Sequence, residues 1–404
     1  MKILVVSSYL PFPLFSGGHV RLYNILKKLS KNNEITLVCE RRDYQKEQDI
    51  LEVKKFCKEI FTVEKQKQWS LKNIIKSIFS LSSFLLVGHT SEAINEKITE
   101  LLNKEKFDLI HVETFYVMQN LPNPPARGLP IVLVEHNIEY LVYSRFANSM
   151  PFFIRPFLYL DILKLKYWEK HFWQKATKLV AVSESEKKLM KRNDAVVVQN
   201  GVDKESFKME SAGWRTKFKA QKKILFIGDF KWLQNRDSVE WILKEIWPKV
   251  QLKIKEQKLD INLKLWIVGR EIPDSIKKLS DDKNVAFDEN APKVTPEIFR
   301  QSDILLSPIR VGGGTSYKIL EAMASGVPVI TTSLGIEGID AGHLKEVLIA
   351  DNAEDIVDLI IDIVGNDSAF EKIAHNARKL VEEKYDWEPI VKKLEEVYKS
   401  ALRK

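Results

Sequence analysis

The chain has 404 residues, 45% hydrophobic and 29% charged, which excludes a disordered chain and is too long for a single hydrophobic core. Its net charge of +8 is uneven: residues 1–200 hold 30 Lys and Arg against 21 Asp and Glu, and the remainder holds 33 against 34. Only Cys39 and Cys57 occur, with no Cys/His spacing of zinc-site form, so a disulfide framework and a structural zinc are excluded and a reducing cytoplasm is expected.

Residues 2–7 (KILVVS) form an apolar run of strand length. The run is too short for a signal peptide, Pro11 and Pro13 break the segment after it, and no small-x-small cleavage site is present. A Pro- and Gly-rich loop leads into VRLYNILKKLSK, whose apolar residues recur at helical spacing, and then into the strand EITLVCE. DLIHVE, IVLVEHN, KLVAVS and AVVVQN continue the series, with helices expected over 91–104 and 184–191. Non-alternating strands separated by helices predict a parallel sheet covered on both faces. Between them, residues 140–175 are dense in aromatic and basic residues and carry Pro151 and Pro156. Segment 69–86 has the same character. Both suit a membrane interface, the alternative being a loop and helix packed on the first domain's core.

The pattern restarts at KKILFIGDF (222–230) and runs through LKLWIVG, NVAFDE, DILLSP, VPVITT and VLIAD, with helices over 237–256 and 316–325. This predicts two doubly wound domains, 1–205 and 206–385, joined near NGVDKESF. The stretch 386–404 has Ile390, Val391, Leu394 and Val397 at helical spacing and is a helix that can complete the first domain. No run of about 18 apolar residues predicts a transmembrane helix.

The strongest chemical signal is GGGTSYKILEAMASGVPVITT (312–332). Gly312, Gly313 and Gly314 let backbone approach an anion after a strand, with Thr315 as the expected helix cap. Lys318 in the first turn reaches the same oxygens, and Glu321 lies on the same face to accept from ribose or sugar hydroxyls. Gly17 and Gly18 precede the first domain's first helix and form a second, weaker site for close approach of a phosphate or sugar to a helix N-terminus. Gly228 and Lys231 lie in the loop after the second domain's first strand, where Lys231 can neutralise a leaving diphosphate. His111 with Glu113, and Glu135-His136-Asn137, sit at strand carboxyl ends, placed to act on an acceptor hydroxyl or to support the positive charge that develops at a sugar carbon. No Asp-x-Asp motif appears, so no metal cofactor is expected.

In this order the segments SYLPFPLFSGGHVRLYNIL, EHNIEY, KLVAVSESEKKLM, VVQNGVD, LFIGDFKWLQN, LWIVGR and PIRVGGGTSYKILEAMASGVPVITT resemble retaining glycosyltransferase family 4 over nearly the whole chain. The resemblance implies the GT-B fold, two Rossmann-like domains facing across a cleft. It implies a nucleotide sugar bound mainly by the second domain, a lipid-linked or glycan acceptor bound mainly by the first, and hexosyl transfer of the EC 2.4 class with retention. Three positions depart from the family pattern. Glu321 matches the second glutamate of the Glu, seven residues, Glu motif, but the first falls on Gly313. Asp229 stands where an arginine is usual. His111-Val112-Glu113 replaces a frequent His-x-His. Arg236 and Arg270 join Lys231 and Lys318 as local cations. Readings without an acceptor transfer stay open: a nucleotide-sugar epimerase, or an inactive glycan-binding scaffold. Surface polysaccharide assembly at the inner face of a membrane is the expected setting, and the basic charge lacks any nucleic-acid module.

Overall fold

The computed structural model describes residues 1–14, 16–122, 128–207, 221–290, 295–312, 314–365 and 367–403. Two compact units are present: Met1–Asn200 together with Trp387–Lys404, and Gly201–Asp386.

The first unit runs β1 (Lys2–Ser7), α1 (Gly17–Leu29), β2 (Glu34–Arg41), α2 (Glu47–Lys54), β3 (Glu59–Glu64), α3 (Leu71–Phe79), α4 (Phe84–Gly88) and α5 (Glu92–Lys104). It continues with β4 (Leu109–Glu113), β5 (Ile131–Val134), α6 (Glu139–Ser149), α7 (Arg155–Lys175), β6 (Lys178–Ala181), α8 (Glu184–Met190) and β7 (Val196–Val197). Among the described residues its strands form one parallel sheet in the order β3-β2-β1-β4-β5-β6-β7. The order reverses between β1 and β4, and at such a switch point the loops leaving the carboxyl ends diverge and open a crevice.

The second unit holds β8 (Lys222–Asp229), α9 (Leu233–Trp241), α10 (Trp247–Glu256), β9 (Leu263–Arg270), α11 (Asp274–Lys277), β10 (Val285–Asp288) and α12 (Thr295–Arg300). Then come β11 (Ile304–Ser307), α13 (Tyr317–Ala324), β12 (Val329–Thr331), β13 (Leu348–Ile349), α14 (Ala353–Gly365) and α15 (Asp367–Leu380). Its sheet, in the order β10-β9-β8-β11-β12-β13, is parallel where described, with its switch point between β8 and β11. The last helix, α16 (Trp387–Leu402), belongs with the first unit. It buries Trp387, Ile390, Val391, Leu394, Val397 and Tyr398, packs on α1, and is tied to Lys28 and Lys31 through Glu388.

Several local expectations are corrected. The first helix starts at Gly17, because Ser16 accepts the His19 amide and caps it there. β3 is an additional strand, hidden in the sequence because EIFTVE is half-buried along the sheet edge and lacks a continuous apolar run. The 237–256 helix starts earlier, at Leu233, and loosens into a π turn over Ile242–Ile246. Thr315 is not the cap of α13; Ser316 holds that position, without a side-chain bond. Residues 140–175 divide into α6 and α7 around Pro151, and Pro156 sits in the first turn of α7, where its missing N–H costs nothing.

One buried arginine closes the first unit. Arg21, 1% exposed on α1, donates to the carbonyls of Gln199 and Val198 and to the Asn200 side chain at 2.8, 2.9 and 3.0 Å. Its loss strands these acceptors away from water. Arg21→Leu is therefore expected to lower first-unit stability by about 3 kcal/mol, read as an earlier first transition in urea unfolding. An unchanged curve would refute this role.

Candidate functional site

In the first unit, the β4 and β5 carboxyl ends bring Glu113 and His136 together beside the N-terminus of α1. Glu113 is fully buried. One carboxylate oxygen accepts from His111 Nε2 at 2.8 Å, and the other is held by His136 Nε2. His111, also buried, is met at Nδ1 by the Tyr398 hydroxyl of α16 at 2.6 Å. Burial alone would raise the Glu113 carboxyl. The charge of His136 and hydrogen bonds from both imidazoles outweigh it and hold the group well below the usual carboxylate range. An ionised Glu113 takes an Nε2–H from each histidine. That leaves His111 Nδ1 to accept from Tyr398, whose own ionisation burial opposes, and it leaves His136 Nδ1 on the α1 side.

Gly18 is the reason the ring fits. A Cβ there would lie 3.0 Å from the Tyr9 hydroxyl and 3.3 Å from His136 Nδ1. Gly17 and Gly18 are the first two residues of α1. Asn137 follows His136 and is half-buried. Thr114, just after Glu113, has φ 71°, a strained value for a β-branched residue at the switch point. His111 and Glu113, expected to meet the acceptor themselves, stand behind His136, the partly exposed member of the chain. Glu135 points away from this chain, to the indole of Trp173 and the Phe115 amide. Burial and nearby Glu169 raise its pKa.

Sequence reasoning missed a second buried group at the same sheet end. Lys65 Nζ donates to Glu40 at 2.6 Å, and His89 Nδ1 lies 3.1 Å from the same oxygen. His19 is also buried, with Nδ1 on Ser16 Oγ and Nε2 lacking a partner. Burial and Arg42 push its pKa down to about 4. Glu40, Lys65 and His89 lie in no motif and only the fold gathers them, whereas His19 lies within SGGHVR, where the glycines alone stand out.

In the second unit, the loop after β11 leads into α13. Gly312 and Gly314 are left-handed, φ 113° and 86°, and Gly313 lies outside the described residues. Thr315 Oγ1 is buried without a partner beside Gly338. Lys318 Nζ donates to Asn235 Oδ1 at 2.8 Å and lies 4.5 Å from the centre of the Phe226 ring. Asn235 Nδ2 donates to the Asp229 carbonyl, and a Cβ on Gly228 would fall 2.6 Å from the Asn235 side chain. Asn235 therefore joins the loops after β8 and β11. Asn235 closes the LFIGDFKWLQN segment, but nothing in that segment shows that its side chain reaches Lys318.

Arg270 pairs with Asp229 at 2.6 Å, and Lys231 with Glu271 at 3.0 Å, the latter pair well exposed. Burial pushes Lys318 down to about 7 against the pull of Glu321, and raises Glu321 to about 8 against Lys318. Lys318 also sits in a first helical turn, where the helix dipole disfavours a cation. An anion in the loop relieves both penalties. Among the described residues, no three His, Cys, Asp or Glu side chains are grouped to hold a metal ion.

The family profile described as Glycosyltransferase Family 4 matches residues 15–206, and the one described as Glycosyl transferases group 1 matches residues 221–366. The chain belongs to glycosyltransferase family 4. This glycosyltransferase is 24% identical over 403 residues to an uncharacterized 44.6 kDa protein in the cps region of Klebsiella pneumoniae, covering 95% of this chain and 96% of that one. It is 23% identical over 365 residues to the uncharacterized glycosyltransferase MJ1069 of Methanocaldococcus jannaschii, covering 83% and 87%. Its fold matches Anabaena HepE, solved in complex with UDP and glucose, with TM-score 0.69 and 14% identity over 99% of this chain and 100% of that one. It also matches WaaG, a glycosyltransferase involved in lipopolysaccharide biosynthesis, with TM-score 0.63 and 14% identity over 98% and 99%. The α/β two-domain GT-B fold is thus the fold of this chain.

The hydrogen-bond chain generates one test. Tyr398→Phe removes the donor to His111 without creating a void. It is expected to cost about 1–2 kcal/mol of stability and to shift the His111 imidazole nitrogen resonances. Unmoved His111 signals would show that the chain does not set its tautomer.

Proposed function

We propose that this glycosyltransferase moves a sugar from a nucleoside diphosphate donor to a lipid-linked or polysaccharide acceptor, with retention and without a metal. Surface polysaccharide synthesis at the inner face of a membrane is the setting, and segment 140–175 makes the membrane contact. The observation that carries the donor half is Lys318. A cation held half-buried in a first helical turn, against the dipole and beside a glycine loop, is stabilised by an incoming diphosphate. HepE's complex with UDP and glucose supports the same reading.

In the transfer, the bond between the anomeric carbon and the diphosphate oxygen breaks, and its electron pair leaves with the diphosphate. The acceptor hydroxyl oxygen bonds to the anomeric carbon from the same face. Its proton passes to a departing phosphate oxygen. Lys318 and the loop amides stabilise the charge that develops there. Arg270, beside Asp229 where the family arginine is usual, is the second cation toward the diphosphate, with Lys231 further out. Glu321, Thr315 and the glycines meet the nucleotide sugar. His136 and Asn137 face the acceptor.

The test is a panel of UDP-, GDP-, ADP- and dTDP-sugars, with and without EDTA, read by thermal shift and nucleotide release. Stabilisation by one base and EDTA-insensitive release with acceptor support the proposal. Conversion of donor alone would mark an epimerase. Binding without turnover would favour a glycan-binding scaffold, for which the glycine at position 313 and Asp229 are the arguments.

Lys318 can also be tested by itself. Lys318→Ala is expected to lower turnover by about 10²–10³-fold while the thermal unfolding curve keeps its shape. Bound anion raises the Lys318 pKa above about 7. Over pH 7 to 9 the complex then holds a proton that the free protein lacks, so nucleotide affinity falls as pH rises. Calorimetry in buffers of different ionisation heat should show proton uptake at pH 8. Equal uptake in Lys318→Met would remove Lys318 from the site.

A further inference from the structure

We propose that α3 and α7 together form one docking face for an anionic phospholipid bilayer. The inference rests on the membrane reading above and deepens it by adding α3 and naming the lipid charge. α3 is inverted for a helix on a globular domain. The one residue it buries is the polar Ser77, whereas Leu71, Ile75, Ile78 and Phe79 are 73%, 49%, 64% and 86% exposed. Burying such a face in the domain is the ordinary outcome; here it is turned outward. α7 buries Ile162, Leu165, Phe172 and Trp173 and exposes Phe157, Leu160, Leu163 and Tyr167, which recur every three or four residues along one stripe.

The two helices are fixed together. Asp161 of α7 accepts from Ser77 Oγ at 3.0 Å and from the Phe84 amide at 2.8 Å. Lys164 donates to the Ser77 carbonyl at 2.7 Å, and the Trp168 indole to the Leu81 carbonyl at 2.9 Å. The outward apolar rows therefore belong to one surface. No helix among the described residues is long and apolar enough to cross a membrane, so this surface lies on a bilayer rather than through it.

Charge decides the occupant. Between residues 66 and 91 there are three lysines and no acid. The acids of α7 are Asp161 and Glu169. Asp161 is spent on α3 and α4. Glu169 is fully buried, where it accepts the Glu139 and Tyr140 amides at 2.8 and 3.1 Å and caps α6. The exposed charge of the face is thus positive. A second copy of the chain would bring like charges together, whereas anionic headgroups neutralise them.

The test sediments the purified full-length protein with vesicles of phosphatidylcholine, alone or mixed with phosphatidylglycerol. Binding to the mixed vesicles, weakened by salt, is expected. The triple variant Ile75→Ser, Ile78→Ser, Phe79→Ser should lose at least about tenfold in partitioning. Lys72→Glu with Lys76→Glu should abolish the preference for phosphatidylglycerol. All these side chains lie on the solvent side of α3, so both variants should keep the wild-type circular dichroism and any thermal shift with nucleotide sugar. Equal binding to both vesicle types, full binding by the triple variant, or a wild-type dimer that the triple variant dissolves would each overturn the docking face. A nucleotide shift that persists through such a result leaves the transferase reading standing. Vesicle binding without any nucleotide response sinks that reading and not this one.

Discussion

A carboxylate cut off from water at the end of a buried strand survives only if protein groups replace its hydration, and Glu113 is in that position. Two imidazoles supply the replacement, and the inner one is itself satisfied by a tyrosine from the far end of the sequence. The first unit's other features at this point conform to that arrangement. Gly18 keeps the start of α1 clear of the His136 ring, Thr114 accepts a strained backbone to turn the chain away, and α16 lies where its Tyr398 reaches His111. The result is one partly exposed imidazole whose outer nitrogen is presented by a rigid, fully paired support.

The second unit solves a related problem with the opposite sign. Lys318 is drawn into a half-buried position by a neutral amide and an aromatic face rather than by a carboxylate partner. An ion pair would have cancelled its charge. Asn235 and Phe226 steady the side chain and leave the charge for something else to complete. Glu321 shares that burial, which raises its pKa to about 8 against the pull of Lys318. The local rule is that the group is oriented while the cost of charging it is left for a bound anion to offset.

The doubly wound organisation is legible in the sequence because parallel strands with both faces covered read as plain apolar runs, such as KILVVS and DILLSP. β3 escapes because EIFTVE is half-buried at a sheet edge, where that signal fades. The loop around Gly312 and Lys318 is legible because its residues are consecutive. Tyr398 and the Glu40, Lys65 and His89 group are not, because each contributes one side chain from a distant segment. Their meaning arises only when the sheet order places them together. His111 and Glu113 stand out by their strand-end position, but burial, which sequence does not report, sets them behind His136.

The return of α16 to the first unit makes the second unit an insertion within it. During synthesis residues 201–386 are complete, with all their strands and helices, before the ribosome has made the helix that supplies Tyr398 and fills the groove beside α1. The later domain in sequence therefore has all its residues before the earlier one does. The nascent first unit must wait, with His111 lacking its hydroxyl partner and the residues that α16 covers still open to solvent. A chaperone that recognises exposed apolar surface would find a target in that unit until α16 docks.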